Sequence, residues 1–389
     1  MTTFNFDKIT NRNNTDCFKW DFCDERFKGK NLLPLWVADM DFECPPAINE
    51  VIRQRSEHGI YGYTYQPKKL NDAIVNWCHK RYSWIVENDS IVYSSGVVPS
   101  LILAIHAFSS PGDKIIIQSP VYYPFFDIIP KNNRQLVLNP LKRIENSYQM
   151  DFDHLRQVIK GAKMLLLCSP HNPVGRVWKK EELIELGKIC LENDVLIVSD
   201  EIHSDIVYTG HKHIPLASLS EDLAQNTITC MAPSKTFNIA GLMLSFVIIK
   251  NDILRKKFKQ KCESLGHMMN NPFAIAASYA AYAQSEEWLD QLLIYLQENI
   301  RFINETLTNN FPQIEMTPLE GTYLAWLNMN KLGLSDTELD HTLLQKAKVA
   351  LSDGKTFGSE GLLYRRLNFA CPKPIIKEAL ERIRLALIS

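Results

Sequence analysis

The sequence predicts an α/β protein with a mostly parallel central sheet, helices on both faces of that sheet, and a smaller α/β lobe. Apolar runs typical of strands alternate with segments of helical periodicity between residues 91 and 231, which is the pattern of parallel sheets. The runs 164–168 and 195–198 contain no polar alternation, as expected of strands that are covered on both faces. After Lys250 the alternation ends and helical segments dominate, which indicates a second, smaller unit.

Local signals place the individual elements along the chain. Pro45 and Pro46 begin a helix, because proline is tolerated in a first helical turn, and Leu70, Ile74 and Trp77 follow at helical spacing in the next helix. The predicted helices cover residues 46–57, 68–82, 99–108, 152–159, 181–193 and 374–388, with further helices between 252 and 310. The predicted strands cover residues 35–38, 91–93, 114–117, 135–138, 164–168, 195–198, 227–231, 244–249 and 364–370, with a strand-turn-strand unit over 314–326.

The change of pattern divides the chain into three parts. We expect residues 1–48 to join a small domain, residues 49–284 to form a large ligand-binding domain, and residues 285–389 to form the small C-terminal domain. A chain of 389 residues is long enough for two such units.

Composition narrows the class of protein. The chain is 46% apolar and 22% charged, which is ordinary for a soluble globular protein. A net charge of −1 argues against nucleic acid or an anionic membrane as partner, and neither a signal peptide nor an apolar run of ~20 residues is visible. Nine scattered cysteines without a C-x-x-C pair favour a reducing compartment, so we expect a cytoplasmic protein in which Cys168, Cys190 and Cys230 are buried thiols.

The segment Met231-Ala-Pro-Ser-Lys-Thr-Phe-Asn-Ile-Ala-Gly241 places one lysine between two predicted strands. Burying an unpaired ammonium group is costly, so a lysine in this position needs a reason. A desolvated lysine has a lowered pKa and forms a Schiff base with a carbonyl cofactor. The alternative interpretation of Lys235 is a surface lysine on a loop between strands.

Polar residues follow four of the predicted strands at their carboxyl ends, where open α/β sheets bind ligands. A glycine beside a helix start also lets backbone N–H groups approach an anion or a phosphate. Taken alone, Asp200 fits a helix cap and His203 fits a hydrogen-bonded core histidine, but packing does not explain their joint placement with a lysine. The four groups are Ser94-Ser-Gly96, Asn172, Asp200 with His203, and Ser234 with Lys235.

Eight stretches, which cover nearly the whole chain in order, resemble one known group of enzymes. They are Leu35-Trp-Val-Ala-Asp-Met-Asp-Phe42, Gly96-Val-Val-Pro99, Pro120-Val-Tyr-Tyr-Pro124, Pro170-His-Asn-Pro-Val-Gly-Arg176, Ser199-Asp-Glu-Ile-His-Ser-Asp205, Pro233-Ser-Lys-Thr-Phe-Asn-Ile-Ala-Gly241, Glu320-Gly-Thr-Tyr-Leu-Ala-Trp326 and Arg366-Leu-Asn-Phe-Ala370. The set resembles the fold-type I enzymes that depend on pyridoxal 5′-phosphate (PLP), the aspartate aminotransferase superfamily. Within that superfamily the chain looks most like the MalY/PatB group of cysteine-S-conjugate β-lyases, which are cystathionine β-lyase-like.

The resemblance implies how the chain would hold PLP. Lys235 would form the Schiff base and, once substrate displaces it, would move the proton of the substrate Cα. Asp200 would keep the pyridinium nitrogen protonated, which makes the ring an electron sink. Asn172 would donate to the ring hydroxyl oxygen, and Tyr122 would stack on the ring. The resemblance assigns the phosphate to Gly96, Val97 and Ser234.

Further residues are assigned to the substrate. Arg366 would bind the α-carboxylate as a planar two-point clamp, which a lysine does not reproduce. Ala38 and Trp36 would contact the substrate, although Trp36 alternatively plugs the interface between the lobes. Tyr123 would act as an acid or base near the lysine, and packing beside the ring is the alternative for this tyrosine.

Two positions depart from the aminotransferase pattern. His203, which we place in the cofactor site, stands where aminotransferases usually carry a tyrosine, and this variant matches the lyase group. Met243 stands where those enzymes often carry a phosphate-binding arginine. We expect no metal site, because His211 and His213 have no further ligand set in the sequence around them.

The resemblance implies a PLP-dependent carbon–sulfur β-lyase that cleaves cystathionine or other L-cysteine S-conjugates to a thiol, pyruvate and ammonia. A thiol leaves far more readily than an alcohol, because its pKa is much lower. The alternatives are an aminotransferase of the same fold and a PLP-fold protein with a regulatory binding role. We also expect a homodimer with shared active sites, since a tyrosine of loop 61–65, which we take to be Tyr63, would reach the phosphate of the neighbouring subunit.

Overall fold

The computed structural model describes residues 3–267 and 269–388. The strands are β1 Leu33–Pro34, β2 Ile91–Ser94, β3 Lys114–Ile117, β4 Gln135–Leu138, β5 Lys142–Ile144, β6 Ser147–Gln149, β7 Ala162–Cys168, β8 Leu196–Asp200, β9 Thr227–Met231, β10 Ser245–Ile248, β11 Glu315–Met316, β12 Leu324–Asn328, β13 Val349–Ala350, β14 Ser352–Asp353 and β15 Tyr364–Asn368. The helices are α1 Cys23–Phe27, α2 Pro46–Glu57, α3 Lys68–Tyr82, α4 Val97–Phe108, α5 Pro124–Lys131, α6 Phe152–Val158, α7 Lys180–Glu192, α8 Glu221–Gln225, α9 Pro233–Thr236, α10 Asp252–Ser264, α11 Pro272–Gln284, α12 Glu286–Asn310, α13 Asp336–His341 and α14 Lys373–Ile388.

A seven-stranded sheet with the order β2-β10-β9-β8-β7-β3-β4 forms the centre of the molecule. β10 is antiparallel to both of its neighbours, and the other neighbouring pairs are parallel. The chain reverses between β9 and β10 through the short helix α9, and only an antiparallel pair permits so short a connection. The prediction of a mostly parallel sheet is confirmed.

Helices cover both faces of this sheet with apolar side chains. On one face, α4 supplies Leu101 and Ala104 and α10 supplies Phe258. On the other face, α7 supplies Leu183 and Leu186. Residues 164–168 of β7 and every residue of β8 are buried, which is why the runs 164–168 and 195–198 carry no polar alternation in the sequence.

The smaller lobe combines the two ends of the chain. Its four-stranded antiparallel sheet has the order β11-β12-β15-β14, and α12 and α14 pack against each other beside it. The N-terminal strand β1 pairs in parallel with β13, so that Leu33 lies opposite Val349. The N-terminal segment is therefore hydrogen-bonded to the C-terminal third of the chain.

Gly321 is the point at which a loop of the smaller lobe crosses the large sheet. Its N–H donates to the carbonyl oxygen of Gly175 at 3.0 Å, and it pairs with Val207 in an isolated bridge. A Cβ at this position would lie 2.8 Å from the carbonyl oxygen of Ile206 and 2.8 Å from Cγ2 of Val177. The crossing therefore requires a residue without a side chain.

The structure corrects the prediction of a strand over residues 35–38. The strand is β1, two residues earlier, and the carbonyl oxygens of 35–38 bond partly to side chains instead. α4 begins at Val97 rather than at residue 99, because Pro99 lies in its first turn, where the missing N–H costs nothing. The remaining predicted elements agree with the structure to within two residues at each end.

The sequence did not predict α5 or the hairpin formed by β5 and β6. The prolines Pro124 and Pro130 suggest turns, but the first begins α5 and the second lies next to its last residue. β5 and β6 are mostly exposed, so they lack the apolar pattern that marks the strands of the central sheet.

The structure bears on two observations made from the sequence: the state of the cysteines and the length of the apolar segments. All nine cysteines are free thiols, and Cys168, Cys190 and Cys230 are buried, as predicted. Among residues 3–267 and 269–388, no helix combines the length and the apolar character that a membrane span requires.

We expect Gly321→Ala to lower the free energy of unfolding by about 1–3 kcal/mol, because the added Cβ forces backbone or Val177 to move. Urea unfolding followed by circular dichroism measures this loss. Gly62→Ala is the matched control, since nothing lies within 4 Å of a Cβ built there. Equal effects of the two substitutions would contradict the close contact at Gly321.

Candidate active site

A cavity of about 260 Å³ opens at the carboxyl ends of the central strands. The segments that follow β2, β7, β8 and β9 form its wall, which is the place where open α/β sheets bind ligands. The structure therefore brings together most of the residues that the sequence placed in the cofactor site. They are Gly96, Val97, Tyr122, Asn172, Asp200, His203, Ser234 and Lys235.

Lys235 lies in α9, immediately after β9. Its Nζ donates to the carbonyl oxygen of Ala38 at 2.6 Å. Burial lowers the pKa of Lys235 to about 8, although the nearby Asp39 carboxylate opposes this shift. A substantial fraction of this amine is therefore neutral near pH 7.5, and a neutral amine is able to attack a carbonyl group or accept a proton.

A buried carboxylate fixes the helix that carries Lys235. Asp205 accepts hydrogen bonds from Thr236 Oγ1 at 2.8 Å and from Trp77 Nε1 at 2.8 Å, and also from the hydroxyl of Tyr82. Because Thr236 is the residue after the lysine, these bonds hold the backbone from which Lys235 extends. The sequence placed Asp205 in a motif but gave it no role.

Asp200 and His203 lie in one segment at the end of β8, and burial perturbs both. Burial raises the pKa of Asp200 to about 7, and the hydrogen bond that its Oδ1 accepts from the N–H of Ile202 at 3.1 Å offsets this only in part. Burial lowers the pKa of His203 to about 3, so its imidazole is neutral. A protonated ring nitrogen beside Asp200 would favour the ionised carboxylate.

The start of α4 forms the polar end of the cavity. Gly96 precedes the first helical residue with φ 156° and ψ 161°, a conformation that essentially only glycine adopts. The free N–H groups of this helix start, with the nearby Ser95 and Ser234, suit an anion such as a phosphate. Met243 also lines the cavity, and among the described residues of its wall Lys235 is the only cation near neutral pH.

Arg366 lies on β15 of the smaller lobe with its side chain buried. Its NH1 donates to Asn172 Oδ1 at 3.0 Å, and its NH2 donates to the carbonyl oxygen of Trp36 at 2.9 Å and to Ser352 Oγ at 3.2 Å. Its Nε is buried without an acceptor in the described part of the chain. The bond to Asn172 uses the amide oxygen, which leaves the amide NH₂ group of Asn172 to meet an acceptor in the cavity.

The charge of Arg366 is not balanced within the structure. Burial lowers the pKa of this guanidinium to about 10, so it stays charged at neutral pH. Within residues 3–267 and 269–388, no carboxylate forms an ion pair with it. A buried cation without a counter-ion is unfavourable unless a ligand supplies the negative charge.

The backbone carbonyl oxygens of residues 36–39 form a row between the two lobes. Asn368 Nδ2 donates to the oxygens of Val37 and Asp39, both at 2.5 Å. The hydroxyl of Tyr323 donates to the oxygen of Ala38 at 3.0 Å, which also accepts from the lysine. The sequence gave no role to Asn368, although its position two residues after Arg366 puts both side chains on one face of a strand.

Buried charges hold the next part of this segment. Lys19 Nζ lies 2.7 Å from Asp41 Oδ2, and Arg12 binds Asp41 Oδ1 and Asp39 Oδ2, each at 2.7 Å. Trp20 Nε1 also donates to Asp41 Oδ1, at 2.9 Å. These contacts overcome the burial that opposes charge and keep the pKa of Asp41 below its usual range. The sequence missed Lys19 and Arg12, because neither belongs to an interpretable motif.

A second cavity of about 200 Å³ extends from Lys235 and Arg366 toward the N-terminal segment. Trp36 and Tyr123, which the sequence assigned to substrate and to acid–base chemistry, both line it. Tyr63 is not part of either cavity in the single chain, and its side chain is 95% exposed. His213 is buried with Nε2 2.8 Å from Glu201 Oε2, while His211 is exposed, so these two histidines do not converge.

The fold and this site define a class of enzyme-like proteins in which a partly buried lysine, an acidic residue and a helix start line one cavity at the end of the central sheet. The model of the family described as aminotransferase class I and II matches residues 30–383, and the chain belongs to that family.

Similar proteins place the chain more narrowly. It is 43% identical to the cystathionine β-lyase PatB of Bacillus subtilis, over 98% of this chain and 100% of the relative. Cystalysin of Treponema denticola, solved with PLP, has 36% identity and a TM-score of 0.96, with 100% of this chain and 99% of that chain covered. The PLP-bound C–S lyase of Staphylococcus hominis has 34% identity and a TM-score of 0.93, again covering 100% and 99%. The family resemblance inferred from the sequence is confirmed.

We expect Asp41→Asn to lower the free energy of unfolding by about 3 kcal/mol at pH 7, because it leaves Lys19 buried without its nearest carboxylate. Since the folded state lowers the pKa of Asp41 from 3.8, the stability that this carboxylate contributes is fully present above about pH 4. It is lost as the pH falls through the lowered pKa. Denaturant unfolding between pH 2.5 and 7 measures the difference between the variant and the parent.

The difference in the free energy of unfolding between Asp41→Asn and the parent protein should therefore become smaller below about pH 4. Asp16→Asn, which changes an exposed carboxylate in the same segment, is the control and should leave stability unchanged within about 0.5 kcal/mol. A difference for Asp41→Asn that stays constant across this pH range would mean that packing, and not charge, explains the loss.

Proposed function

We propose that the protein is a PLP-dependent carbon–sulfur β-lyase. It cleaves cystathionine or other L-cysteine S-conjugates by β-elimination to a thiol, pyruvate and ammonia. The observation that carries the proposal is that the Lys235 amine and the uncompensated guanidinium of Arg366 line the same cavity. The amine of Lys235 accepts a proton or attacks a carbonyl carbon, and the guanidinium of Arg366 requires a carboxylate. An α-amino acid is a substrate that fits both groups.

The similar proteins support this reaction over transamination. PatB is named as a cystathionine β-lyase, and the enzyme of Staphylococcus hominis is described as a C–S lyase with PLP bound. His203 occupies the position at which aminotransferases usually carry a tyrosine. Its neutral imidazole, with Nδ1 buried and unpaired in the described part of the chain, offers a polar atom to the cavity wall.

The residues of the first cavity fit PLP as their ligand. When bound, PLP supplies a carbonyl group for an amine and a ring that takes up the electron pair released at the substrate Cα. Asp200, whose pKa is raised by burial, would face the ring nitrogen. The amide NH₂ of Asn172 would donate to the ring hydroxyl oxygen, and Tyr122 would pack on the ring. The start of α4, through Gly96 and Val97, would hold the phosphate together with Ser234.

Lys235 would perform the proton transfers. Its amine, with a pKa near 8, is close to the pH at which a group both accepts and returns a proton efficiently. The bond to the carbonyl oxygen of Ala38 holds Nζ in the wall shared by the two cavities. After the Cα proton has moved to this amine, the carbon–sulfur bond breaks and the sulfur leaves as a thiolate with the bonding electrons. Tyr123, in the second cavity, would give that sulfur its proton.

Arg366 would bind the α-carboxylate of the substrate. Its bonds to Trp36 and Ser352 fix the plane of the guanidinium, and its Nε, which has no acceptor among the described residues, would donate to a bound carboxylate. A carboxylate held there would lie beside the carbonyl row, close to Ala38 and Trp36. The substrate amino group would then face Lys235.

We further propose that the active form is a cytoplasmic homodimer. In the described wall of the first cavity Lys235 is the only cation near neutral pH, which is little charge to hold a phosphate dianion. The tyrosine loop exposes Tyr61, Tyr63 and Tyr65, and a second copy of the chain would bury them and bring the hydroxyl of Tyr63 to the phosphate of its neighbour. Nine free thiols suit a reducing compartment.

We also propose the domain boundaries predicted from the sequence. Residues 1–48 and 285–389 would form the small domain, and residues 49–284 would form the large one. The pairing of β1 with β13 supports the assignment of the N-terminal segment.

The protein with PLP should release pyruvate and homocysteine in equal amounts from cystathionine over many turnovers, without any added keto acid. Lys235→Ala should reduce this release by about a thousandfold or more, because proton transfer at Cα is lost. A coupled dehydrogenase assay for pyruvate and a thiol reagent measure the two products. Lys163→Ala, at an exposed lysine of β7, is the control and should retain full activity.

Amino transfer to an added keto acid, without thiol release, would refute the lyase assignment and identify an aminotransferase. Full activity of Lys235→Ala would refute the role of this lysine.

Subunit mixing tests the shared site. If Tyr63 acts on the neighbouring site, Tyr63→Ala and Lys235→Ala homodimers are each impaired, but a mixed dimer contains one site with both residues intact. Unfolding and refolding an equal mixture should restore about a quarter of the parent activity, since half of the dimers are mixed and each has one complete site. Recovery equal to the mean of the two variants would show that Tyr63 acts within its own subunit or not at all.

A further inference from the structure

Arg26 lies at the outer end of the second cavity. It belongs to the last turn of α1, and its guanidinium carbon is 5.2 Å from the centre of the Trp36 ring. A guanidinium in this position is attracted to the face of the indole and keeps its N–H groups free for an anion. Both residues line the same space as Lys235 and Arg366.

Trp36 is a rigid support for this arginine. The rings of Phe18 and Phe27 pack against it with centroid distances of 5.1 and 5.3 Å. Its Nε1 donates to the carbonyl oxygen of Lys19 at 3.2 Å, which fixes the orientation of the indole. The guanidinium therefore loses less freedom on binding a ligand than an unsupported surface arginine would.

The charged residues near Arg26 leave its guanidinium available to bind a ligand. In the part of the chain that the structure describes, no carboxylate forms an ion pair with it. The nearby Asp24 accepts from the N–H groups of Asn31 and Leu32 instead. The acid that lines the same cavity, Asp353, lies 3.4 Å from Arg365 and 3.5 Å from Lys355.

Arg366 is buried and Arg26 is exposed, and both line one cavity together with Lys235. An amino acid whose α-carboxylate binds Arg366 would extend its sulfur side chain through this space toward Arg26. Apolar walls from Val37 and Phe357 suit methylene groups along the way. Along the substrate side chain, only the far end would lie next to a positive charge, that of Arg26.

We propose that Arg26 is a specificity-determining residue that binds a carboxylate at the far end of the leaving side chain. The preferred substrates are then L-cysteine thioethers with a second carboxylate beyond the sulfur, as in cystathionine, over conjugates with a purely apolar side chain. This inference rests on the proposed function, in which Lys235 and Arg366 bind the amino-acid part of the substrate.

Two conjugates of equal length test the inference. S-(3-carboxypropyl)-L-cysteine carries the distal carboxylate, and S-butyl-L-cysteine replaces it with a methyl group. Arg26→Gln should lower kcat/KM about tenfold for the first conjugate and no more than about twofold for the second, because a charge-assisted hydrogen bond is lost only with the carboxylate. Arg26→Lys should fall between, since the charge is kept without the planar contact.

Lys30→Gln is the matched control, because it removes an exposed positive charge four residues away that does not line the cavity. It should leave kcat/KM unchanged for both conjugates. An equal loss on both conjugates in Arg26→Gln, or no loss on either, would overturn the inference. A similar loss in Lys30→Gln would also overturn it, because a general field effect would then explain the preference.

Equilibrium binding separates this inference from the reaction. Calorimetric titration of Lys235→Ala with the two conjugates requires no turnover, and the carboxylate conjugate should bind about tenfold more tightly. Adding Arg26→Gln should remove that preference. If the parent protein released no thiol from either conjugate, the proposed lyase function would fail, whereas equal binding of the two conjugates would refute the role of Arg26 alone.

Discussion

The backbone of residues 36–39 is the constraint on which the site depends. These residues lie between the lobes without a strand partner, so their carbonyl oxygens must find donors elsewhere. Side chains supply them: Arg366 and Asn368 come from the smaller lobe, and Lys235 comes from the end of the large sheet. The amine of Lys235 and the guanidinium of Arg366 are therefore held against one short segment of backbone. A shift of that segment would move both groups together.

Buried charged side chains hold the backbone next to residues 36–39 in place, and burying them costs free energy. Lys19 and Asp41 are both buried, and removing two ions from water is compensated only when the geometry is good and the remaining polar atoms are bonded. Arg12 and Trp20 meet that condition at Asp41. By contrast, the charge of Arg366 lacks such compensation in the described chain. The ion pair of Lys19 and Asp41 contributes to the architecture, whereas Arg366 has no ion-pair partner among the described residues.

The sequence was sufficient for the central sheet and for the residues at its edge, because both follow from local patterns. Strand ends converge at one edge of a parallel sheet, so Asn172, Asp200 and Lys235 could be grouped without coordinates. Contacts between distant parts of the chain left little local signal. The spacing of Asn368 from Arg366 indicates a shared strand face but not the bond to Val37, and nothing in the sequence around Lys19 indicates its contact with Asp41. The predicted strand over 35–38 was wrong for the same reason, since an apolar run does not reveal whether its backbone bonds to a strand or to side chains.

The pairing of β1 with β13 also has a consequence for the order of assembly during synthesis. The partner of Leu33 is Val349, and a ribosome adding ~5–20 residues per second takes tens of seconds to cover that separation. All strands of the central sheet have been made before then, whereas β1, β13 and the strand that carries Arg366 can associate only near the end of translation. The nascent chain therefore contains the strands of its central sheet first, and the part of the cavity wall that includes Arg366 is completed last.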